Sequence, residues 1–416
     1  MAAILVLTPQ LPYPPRQGTA LRNWGILQGL AAHHEVSLLS FASPDQALTP
    51  DPALAAATAR IGVVPQPARS ATARLRDLVF TGRPDLIQRL ASPDFERQFR
   101  SWVESYDFDW LVVEGLEMAP YLAALPGWRG AAYMPGAGGQ RPLGVVLDDH
   151  NCEYLLQQRA ARSDYGRGAG LNPARWLRAL YSSIQWRRLR AYEAQVCRDV
   201  DLVVSVSKAD AAALRAIVPE ITPLVIPNGI DVGAYAGFEE AADLAQPAFV
   251  FTGTMDFRPN VDGVLWFVQE VWPRVRQTLP DAHFYVVGRH PHPRLAPLGE
   301  MPGVVVTGGV PDTRPYIRAA QVYVVPLLVG GGTRLKILES TAMGKPIVAT
   351  QLAAEGFDNP DRAMILADVP EDFAKACVTL VQNEAARALW GARARTYADA
   401  YDWDVLLPRL LDRLGP

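Results

Sequence analysis

A run of three glycines followed by basic residues is the part of the sequence best suited to bind a diphosphate. It lies within residues 326–339, where an apolar run passes into a predicted helix. The candidate diphosphate- and sugar-binding residues of this segment are Gly330, Gly331, Gly332, Thr333, Arg334 and Lys336. Glycines let backbone amides approach a ligand closely, and the amides at a helix start attract an anion. The alternative is an ordinary glycine loop with a surface ion pair between Lys336 and Glu339.

A second loop, at residues 252–260, is also predicted to join a strand to a helix. It contains Gly253 and Arg258, and the arginine is a candidate second contact to phosphate. Ligands of open α/β sheets bind beyond the carboxyl ends of the strands, so the two loops are predicted to face one crevice. A loop arginine exposed to solvent would explain Arg258 equally well.

The first half of the chain contributes a histidine and a short loop. His150 follows the strand-like run 145–147, which places it at the carboxyl edge of a predicted sheet. An imidazole at that edge can donate to a reacting sugar, so His150 is the catalytic candidate. Gly18 and Thr19 lie between the first strand and the first helix and form a candidate cleft loop. The alternatives are a structural or capping histidine and an ordinary turn.

These candidate residues lie among short apolar runs that alternate with segments in which apolar residues repeat every three or four positions. This alternation is the pattern of βαβ units. A chain of 416 residues suits two domains of about 200 residues each. We predict two Rossmann-like, doubly wound parallel-sheet domains, residues 1–228 and 229–416, joined near the Pro-Asn-Gly segment. The sequence leaves open whether the final helix, 403–416, packs on the second domain or returns to the first.

Composition excludes several other classes of protein. A net charge of -3 provides no global attraction for nucleic acid, and three widely spaced cysteines favour neither a disulfide framework nor a zinc site. No apolar stretch is long enough to span a membrane, so a cytoplasmic location is expected. The pairs Asp107/Asp109 and Asp402/Asp404 do not directly follow a strand, so we predict turn and helix-start roles for them and a metal-independent reaction.

Residues 159–193 form a strongly basic segment with interleaved aromatic residues. Its arginines are Arg159, Arg162, Arg167, Arg175, Arg178, Arg187, Arg188 and Arg190. Arginine and tryptophan together suit an anionic membrane surface or a lipid-diphosphate acceptor. A solvated helical face is the alternative.

Taken together, these motifs resemble those of the family 4 glycosyltransferases, which are retaining enzymes of the GT-B fold. Within that family the chain resembles the sugar transferases associated with PEP-CTERM and exopolysaccharide systems. The resemblance covers nearly the whole chain, and its most specific segments are 226–231 (IPNGID), 251–260 (FTGTMDFRPN), 285–289 (YVVGR), 330–339 (GGGTRLKILE) and 342–346 (AMGKP).

The resemblance implies roles for particular residues. Glu339 matches the second acid of the family's Glu-x7-Glu motif, which binds the nucleotide ribose, and Val310 falls near the base. Arg258, Arg334 and Lys336 fall where basic residues neutralise the diphosphate. The first acid of the motif falls on Gly331, so the carboxylate that usually contacts the donor sugar is absent from this sequence.

The implied activity is retaining transfer of a hexosyl group from a nucleoside-diphosphate sugar to a glycan or lipid-linked acceptor. The departing phosphate helps to take the acceptor proton, and basic residues stabilise its charge. No cofactor is expected, because the nucleotide sugar is itself the donor substrate. The alternative is a catalytically weak nucleotide-sugar-binding subunit of a glycan assembly complex. An epimerase is a further alternative, whereas a phosphorylase is disfavoured because no pyridoxal-binding signature surrounds the C-terminal lysines.

Overall fold

The computed structural model describes most of the chain in two compact units. The described residues are 1–15, 18–44, 46–70, 76, 81–128, 133–136, 139–158, 173–329 and 334–415. One unit comprises residues 1–227 together with 407–416, and the other comprises residues 228–406. Each unit is built on its own parallel sheet.

The first unit contains a seven-stranded parallel sheet of order β3-β2-β1-β4-β7-β8-β9 and a separate antiparallel hairpin, β5-β6. The strands are β1 Ala3–Thr8, β2 Glu35–Ala42, β3 Arg60–Pro65, β4 Trp110–Glu114, β5 Tyr133–Gly136, β6 Gly139–Pro142, β7 Gly144–Asp149, β8 Leu202–Ser205 and β9 Leu224–Val225. The strand order reverses between β1 and β4, as in a doubly wound sheet. The carboxyl ends of β4 and β7 therefore lie side by side.

Helices cover the sheet of the first unit. They are Gly18–Ala31, Pro52–Ala56, Asp85–Gln88, Pro93–Ser105, Pro173–Asp199, Lys208–Ile217 and Pro408–Leu414, with a 3-10 segment at Leu116–Ala124. Pro93–Ser105 begins where the Ser92 hydroxyl accepts from the Phe95 amide. Pro408–Leu414 belongs to this unit because Trp110 Nε1 donates to the Leu414 carbonyl at 2.9 Å. The end of the chain thus packs on the first sheet.

The second unit contains a six-stranded parallel sheet of order β12-β11-β10-β13-β14-β15. The strands are β10 Ala248–Thr252, β11 His283–Val287, β12 Val304–Gly308, β13 Val322–Val325, β14 Ile347–Ala349 and β15 Ile365–Leu366. Most of their residues are buried, because helices cover both faces of a doubly wound sheet. The order reverses between β10 and β13, so the loops that follow these two strands are neighbours.

The helices of the second unit include one that changes form in its middle. The segments are Val232–Ala236, Arg258–Trp266, a π-helical turn at Phe267–Val271, Trp272–Thr278, Arg314–Ala319, Leu335–Ala342, Pro370–Gln382, Glu384–Ala398 and Trp403–Leu406, with 3-10 turns at Pro293–Glu300, Pro360–Arg362 and Asp399–Tyr401. Pro273 stands in the first turn of Trp272–Thr278. This position suits a proline, because the first turn of a helix does not need its missing N–H donor. Val264, Val268 and Val275 are buried in the core of the second unit, so these helical segments pack through them.

Candidate functional site

The helix Leu335–Ala342 carries two charged residues at the carboxyl edge of the second sheet. Lys336 and Glu339 are three positions apart, so they lie on one face of the helix. The Lys336 ammonium donates to Asn260 Oδ1 at 2.8 Å and lies 4.0 Å from the centre of the Phe251 ring. Phe251 belongs to β10, and Asn260 lies in the helix that follows it. The structure therefore places Lys336, from the segment 326–339, beside Asn260, from the segment 252–260.

Gly253 leaves room for this lysine. A Cβ atom at Gly253 would lie 2.8 Å from Lys336 Nζ and 2.7 Å from Asn260 Nδ2. Both distances are closer than a real Cβ atom tolerates, so any side chain at position 253 would displace the ammonium or the amide. The glycine is explained by close approach of these two side chains to the backbone.

The protonation of Lys336 is sensitive to its surroundings. Burial and the positive charge of Arg334 lower the pKa of Lys336 to about 7, and the negative charge of Glu339 opposes them. Its hydrogen-bond partner, Asn260, is neutral. A bound anion would favour the charged ammonium further and raise the pKa of Lys336.

Glu339 is held by a tyrosine that precedes the sheet in sequence. The Tyr235 hydroxyl donates to Glu339 Oε1 at 3.1 Å, and Tyr235 belongs to the short helix Val232–Ala236 after the Pro-Asn-Gly segment. Burial raises the pKa of Glu339 to about 7, while Tyr235 and Lys336 hold it down. Sequence analysis identified Glu339 and missed Tyr235, whose hydroxyl gives no local signal.

The remaining candidates of this unit are placed as follows. Arg258 is 57% exposed and donates to Asp262 at 3.3 Å, so its charge is partly engaged in a surface ion pair. Asp262 is also paired with Arg294 at 2.7 Å. Val310 follows β12 and packs against the core at its edge. Arg334 stands at the start of the helix Leu335–Ala342. Gly330, Gly331, Gly332 and Thr333 lie outside the described residues.

In the first unit, His150 stands directly after β7, at the carboxyl edge of the sheet. Its Nε2 atom lies 2.8 Å from Glu114 Oε2, at the end of β4, and 3.6 Å from Asp148 Oδ2. Asp148 also accepts two hydrogen bonds from Arg22, at 2.6 and 2.7 Å. Arg22 is buried and also donates to the Ile226 carbonyl at 3.0 Å. His150 is therefore part of a buried network of alternating charge.

Asn23 connects this network to the candidate cleft loop. With its amide turned so that Nδ2 faces the acceptors, it donates to Glu114 Oε2 at 3.0 Å and to the Thr19 carbonyl at 3.1 Å. Gly18 begins the helix Gly18–Ala31, and Thr19 is its second residue. The structure thus brings Thr19 and His150 to one cluster. Sequence analysis missed the connecting residues Asn23 and Glu114.

Burial and neighbouring charges shift the pKa values of His150 and Glu114. Burial favours a neutral imidazole, but the hydrogen bond to Glu114 and the charge of Asp148 outweigh it and raise the pKa of His150. Burial and the Asp148 charge raise the pKa of Glu114 to about 7, against the effect of His150. Glu114 and His150 therefore share a proton that either group can hold.

The same three side chains offer atoms to a metal ion. Ligand atoms of Glu114, Asp148 and His150 lie within 4.8 Å of one another. Among the described residues, this is the cluster of acidic and histidine side chains close enough together to hold a metal ion. Those atoms are already bonded to each other and to Arg22, whose positive charge opposes a cation. The two Asp-x-Asp pairs have structural roles: Asp109 accepts from the Ala3 amide, and Asp402 accepts from the Val232 amide.

A second buried acidic group fixes the chain after His150. Glu193, on the helix Pro173–Asp199, accepts from the amides of Glu153 and Tyr154 at 2.9 and 2.8 Å. Burial and the nearby Glu193 carboxylate raise the pKa of Asp149 well above its usual range. Glu193 is the acceptor that anchors this segment to the long helix.

The predicted basic segment is described only toward its end. Arg187 and Arg190 are exposed there, and the Arg187 guanidinium lies 5.4 Å from the centre of the Trp186 ring. Arg159, Arg162 and Arg167 lie outside the described residues. Within the described part of the chain, no helix combines the length and apolarity needed to cross a bilayer.

Comparison with known proteins identifies the family. The family model described as Glycosyltransferase Family 4 matches residues 17–234, just over half of the chain. The chain belongs to this family. A second model, described as Glycosyl transferases group 1, matches residues 246–383 in the other half of this family 4 chain.

Individual relatives are distant in sequence and similar in fold. A phosphatidyl-myo-inositol mannosyltransferase of Mycolicibacterium smegmatis is 26% identical over 195 residues, covering 45% of this chain and 50% of that protein. The chain thus matches about half the length of this curated relative. Sucrose-phosphate synthase from Thermosynechococcus elongatus is 17% identical with a TM-score of 0.68, covering 99% and 97% of the two chains. Anabaena HepE in complex with UDP-glucose is 14% identical with a TM-score of 0.64, covering 100% and 99%. These structures show that the family 4 chain has the GT-B fold of two Rossmann-like domains, as predicted.

Proposed function

We propose that this protein is a retaining, metal-independent glycosyltransferase. It moves a hexosyl group from a nucleoside-diphosphate sugar to a glycan or lipid-linked acceptor, in exopolysaccharide or cell-surface glycan synthesis. The observation that carries the proposal is the helix Leu335–Ala342, which presents Lys336 and Glu339 beside Gly253 at the carboxyl edge of the second sheet. Membership of family 4 and the nucleotide sugar bound by the similar HepE structure support it.

In this mechanism the second unit binds the nucleotide. Lys336, Arg334 and Arg258 bind the diphosphate with the amides of residues 330–333, Glu339 accepts hydrogen bonds from the ribose, and Val310 lies near the base. As the bond from the sugar to the phosphate breaks, negative charge grows on the departing oxygen. The ammonium of Lys336 stabilises that charge, and the departing phosphate takes the acceptor proton on the same face of the sugar.

His150 is proposed to contact the transferred sugar. The carboxylate of Glu114 fixes its ring, and the shared proton lets the imidazole donate to a sugar hydroxyl. Glu114 and Asn23 act through His150 and are positioning residues. Gly18 and Thr19 border the same cluster and are proposed to line the binding site of the sugar or acceptor.

The acceptor side of the proposal includes peripheral contact with an anionic membrane. The exposed arginines near Trp186 provide charge and an aromatic ring on one helix, which suits a lipid headgroup surface. Binding to vesicles of phosphatidylcholine with and without phosphatidylglycerol tests this part. Loss of sedimentation with anionic vesicles in the Arg187→Glu, Arg190→Glu variant would support it, and equal binding to neutral vesicles would exclude it.

The main test is nucleotide binding followed by transfer. UDP, GDP and ADP are added in the presence of EDTA to wild type, to the Arg334→Ala, Lys336→Ala variant and to the exposed control Gln277→Ala. A nucleotide at about 100 times its dissociation constant should stabilise wild type and control by about 2.7 kcal/mol and the double variant much less. If none of the three binds wild type, the proposal fails.

Transfer distinguishes the proposed enzyme from a catalytically weak nucleotide-sugar-binding subunit. Gly331 stands where the family has its first acid, and this difference is the reason to consider the binding subunit as the alternative. The sugar form of the nucleotide that binds is incubated with enzyme, and release of nucleoside diphosphate is measured. Release by wild type that falls in His150→Asn, with unchanged nucleotide affinity, supports the enzyme. Tight binding without release, with or without an added membrane extract, supports the subunit.

A further inference from the structure

The side chain of Asn260 connects the loop after β10 to the helix that carries Lys336. Asn260 is 6% exposed, and its two amide atoms make opposite kinds of contact. Oδ1 accepts from the Lys336 ammonium at 2.8 Å, and Nδ2 donates to the Thr254 carbonyl at 2.9 Å. An ammonium can only donate and a carbonyl can only accept, so the orientation of the amide is fixed by its two partners.

The loop that Asn260 holds is fixed at other points as well. The Gly253 amide donates to the Val287 carbonyl at 3.0 Å, and the Met255 amide donates to the Arg289 carbonyl at 2.8 Å. The loop after β10 is therefore attached to the end of β11. Asn260 extends this attachment to Lys336, which is 76 residues away in sequence.

We propose that Asn260 is a positioning residue that holds the Lys336 ammonium over Gly253, ready for the diphosphate of the donor. This inference rests on the proposed function of the site. A lysine has four rotatable side-chain bonds, and fixing them before the ligand arrives reduces the entropy lost on binding. The Phe251 ring, whose centre lies 4.0 Å from the ammonium, also supports it by a cation-π contact.

The choice of an amide at position 260 follows from charge. A carboxylate there would hold the ammonium more strongly, but it would also neutralise the charge that a phosphate needs. The asparagine orients the lysine and leaves its charge available. Asn260 and Phe251 together are a neutral socket, and the carboxylate near Lys336 on the same helix, Glu339, is bonded to Tyr235.

A double-mutant cycle tests whether Asn260 acts through the lysine. The dissociation constants of UDP, GDP and ADP are measured by calorimetry for wild type, Asn260→Ala, Lys336→Met and the double variant. Asn260→Ala is expected to increase the dissociation constant of the nucleotide that binds wild type by about tenfold. The double variant should bind no more weakly than Lys336→Met, because the amide has no function without the lysine. Independent, additive losses would overturn the proposal.

A measurement without nucleotide separates this inference from the proposed function. Competitive labelling with acetic anhydride over a range of pH, followed by mass spectrometry of the Lys336 peptide, reports the exposure and titration of that amine. Asn260→Ala should label faster than wild type, whereas Asn260→Asp should protect the amine to higher pH. An unchanged profile in both variants overturns the proposal. If labelling changes as expected and no nucleotide binds wild type, the proposed function fails while the positioning contact stands.

Three controls test whether the effects are specific to the Asn260 side chain, to its hydrogen bonding and to folded protein. Gln277→Ala, exposed on the helix Trp272–Thr278, should match wild type in labelling and binding. Asn260→Ser retains a short polar group, so partial recovery relative to Asn260→Ala indicates hydrogen bonding rather than packing. Circular dichroism and thermal unfolding confirm that each variant is folded before it is compared.

Discussion

Nucleotide affinity should fall steeply as the pH rises above neutrality, because the lysine that binds the diphosphate loses its proton. Burial and Arg334 lower the pKa of Lys336 to about 7 in the free protein. A bound diphosphate raises that pKa again, so binding above neutral pH requires uptake of a proton. Ionisation of the nucleotide adds little to this pH dependence, since a terminal phosphate with a pKa of about 6 is already ionised above neutral pH.

The expected magnitude follows from the fraction of Lys336 that is protonated. That fraction falls from about one half at about pH 7 to about one hundredth at about pH 9, which weakens binding by about 50-fold. Glu339, with a pKa of about 7, becomes fully ionised over the same range and improves ribose binding. Its ionised fraction at most doubles, so a net loss of about 25-fold or more is expected.

Calorimetry with the nucleoside diphosphate that binds wild type measures this dependence directly. Two buffers with different ionisation enthalpies also give the number of protons taken up. Lys336→Met should bind weakly with little dependence on pH. Lys336→Arg should also show a flat profile, because a guanidinium stays charged throughout this range. A wild-type affinity that is constant between about pH 7 and about pH 9 would refute the reasoning, since it would mean that Lys336 stays charged despite its burial.

Three further perturbations have expected outcomes. Tyr235→Phe removes the hydroxyl that orients Glu339 and should weaken nucleotide binding about 2- to 12-fold, measured by calorimetry, while leaving pyrophosphate binding unchanged; equal losses for both ligands would contradict this role. Gly288→Ala places a Cβ atom 1.7 Å from a backbone carbonyl oxygen and should reduce the free energy of unfolding by about 3 kcal/mol or more, so an unaltered thermal midpoint would show that the loop adapts. Arg22→Met leaves Asp148 buried without its bidentate partner and should lower the free energy of urea unfolding by about 3–5 kcal/mol. Adding Asp148→Asn should recover part of that loss, and no recovery would argue against the ion pair as its cause.

Local pattern was enough to predict most of the sheet framework. The apolar run 322–325 forms the strand Val322–Val325, and the apolar run 249–252 falls within Ala248–Thr252. The strand Arg60–Pro65 has a weaker local signal, because it is a half-buried edge strand with an arginine at one end and a proline at the other. Pro273 cannot donate a backbone hydrogen bond, and the structure has a π-helical turn, Phe267–Val271, just before it.

The candidate site was predictable only in its charged residues. Lys336, Glu339 and His150 stand out because charges follow strand ends and glycine loops. Their partners do not stand out, because Asn260 and Tyr235 are ordinary polar residues 76 and 104 positions away from the side chains that they hold. Periodicity and spacing describe neighbours along the chain, whereas these contacts are made by the order of strands in the sheet.

The two clusters differ in a way that bears on their roles. In the first unit, Asp148 is paired with Arg22 and Glu114 is hydrogen-bonded to His150, so each of these carboxylates has a partner that belongs to the chain. In the second unit, Lys336 is held by a neutral amide. A buried charge that is left with a neutral partner is unfavourable by itself, and it becomes favourable when a ligand brings the opposite charge. The first cluster is therefore suited to hold a donor and acceptor of hydrogen bonds in one orientation, whereas the second is suited to a ligand that supplies negative charge.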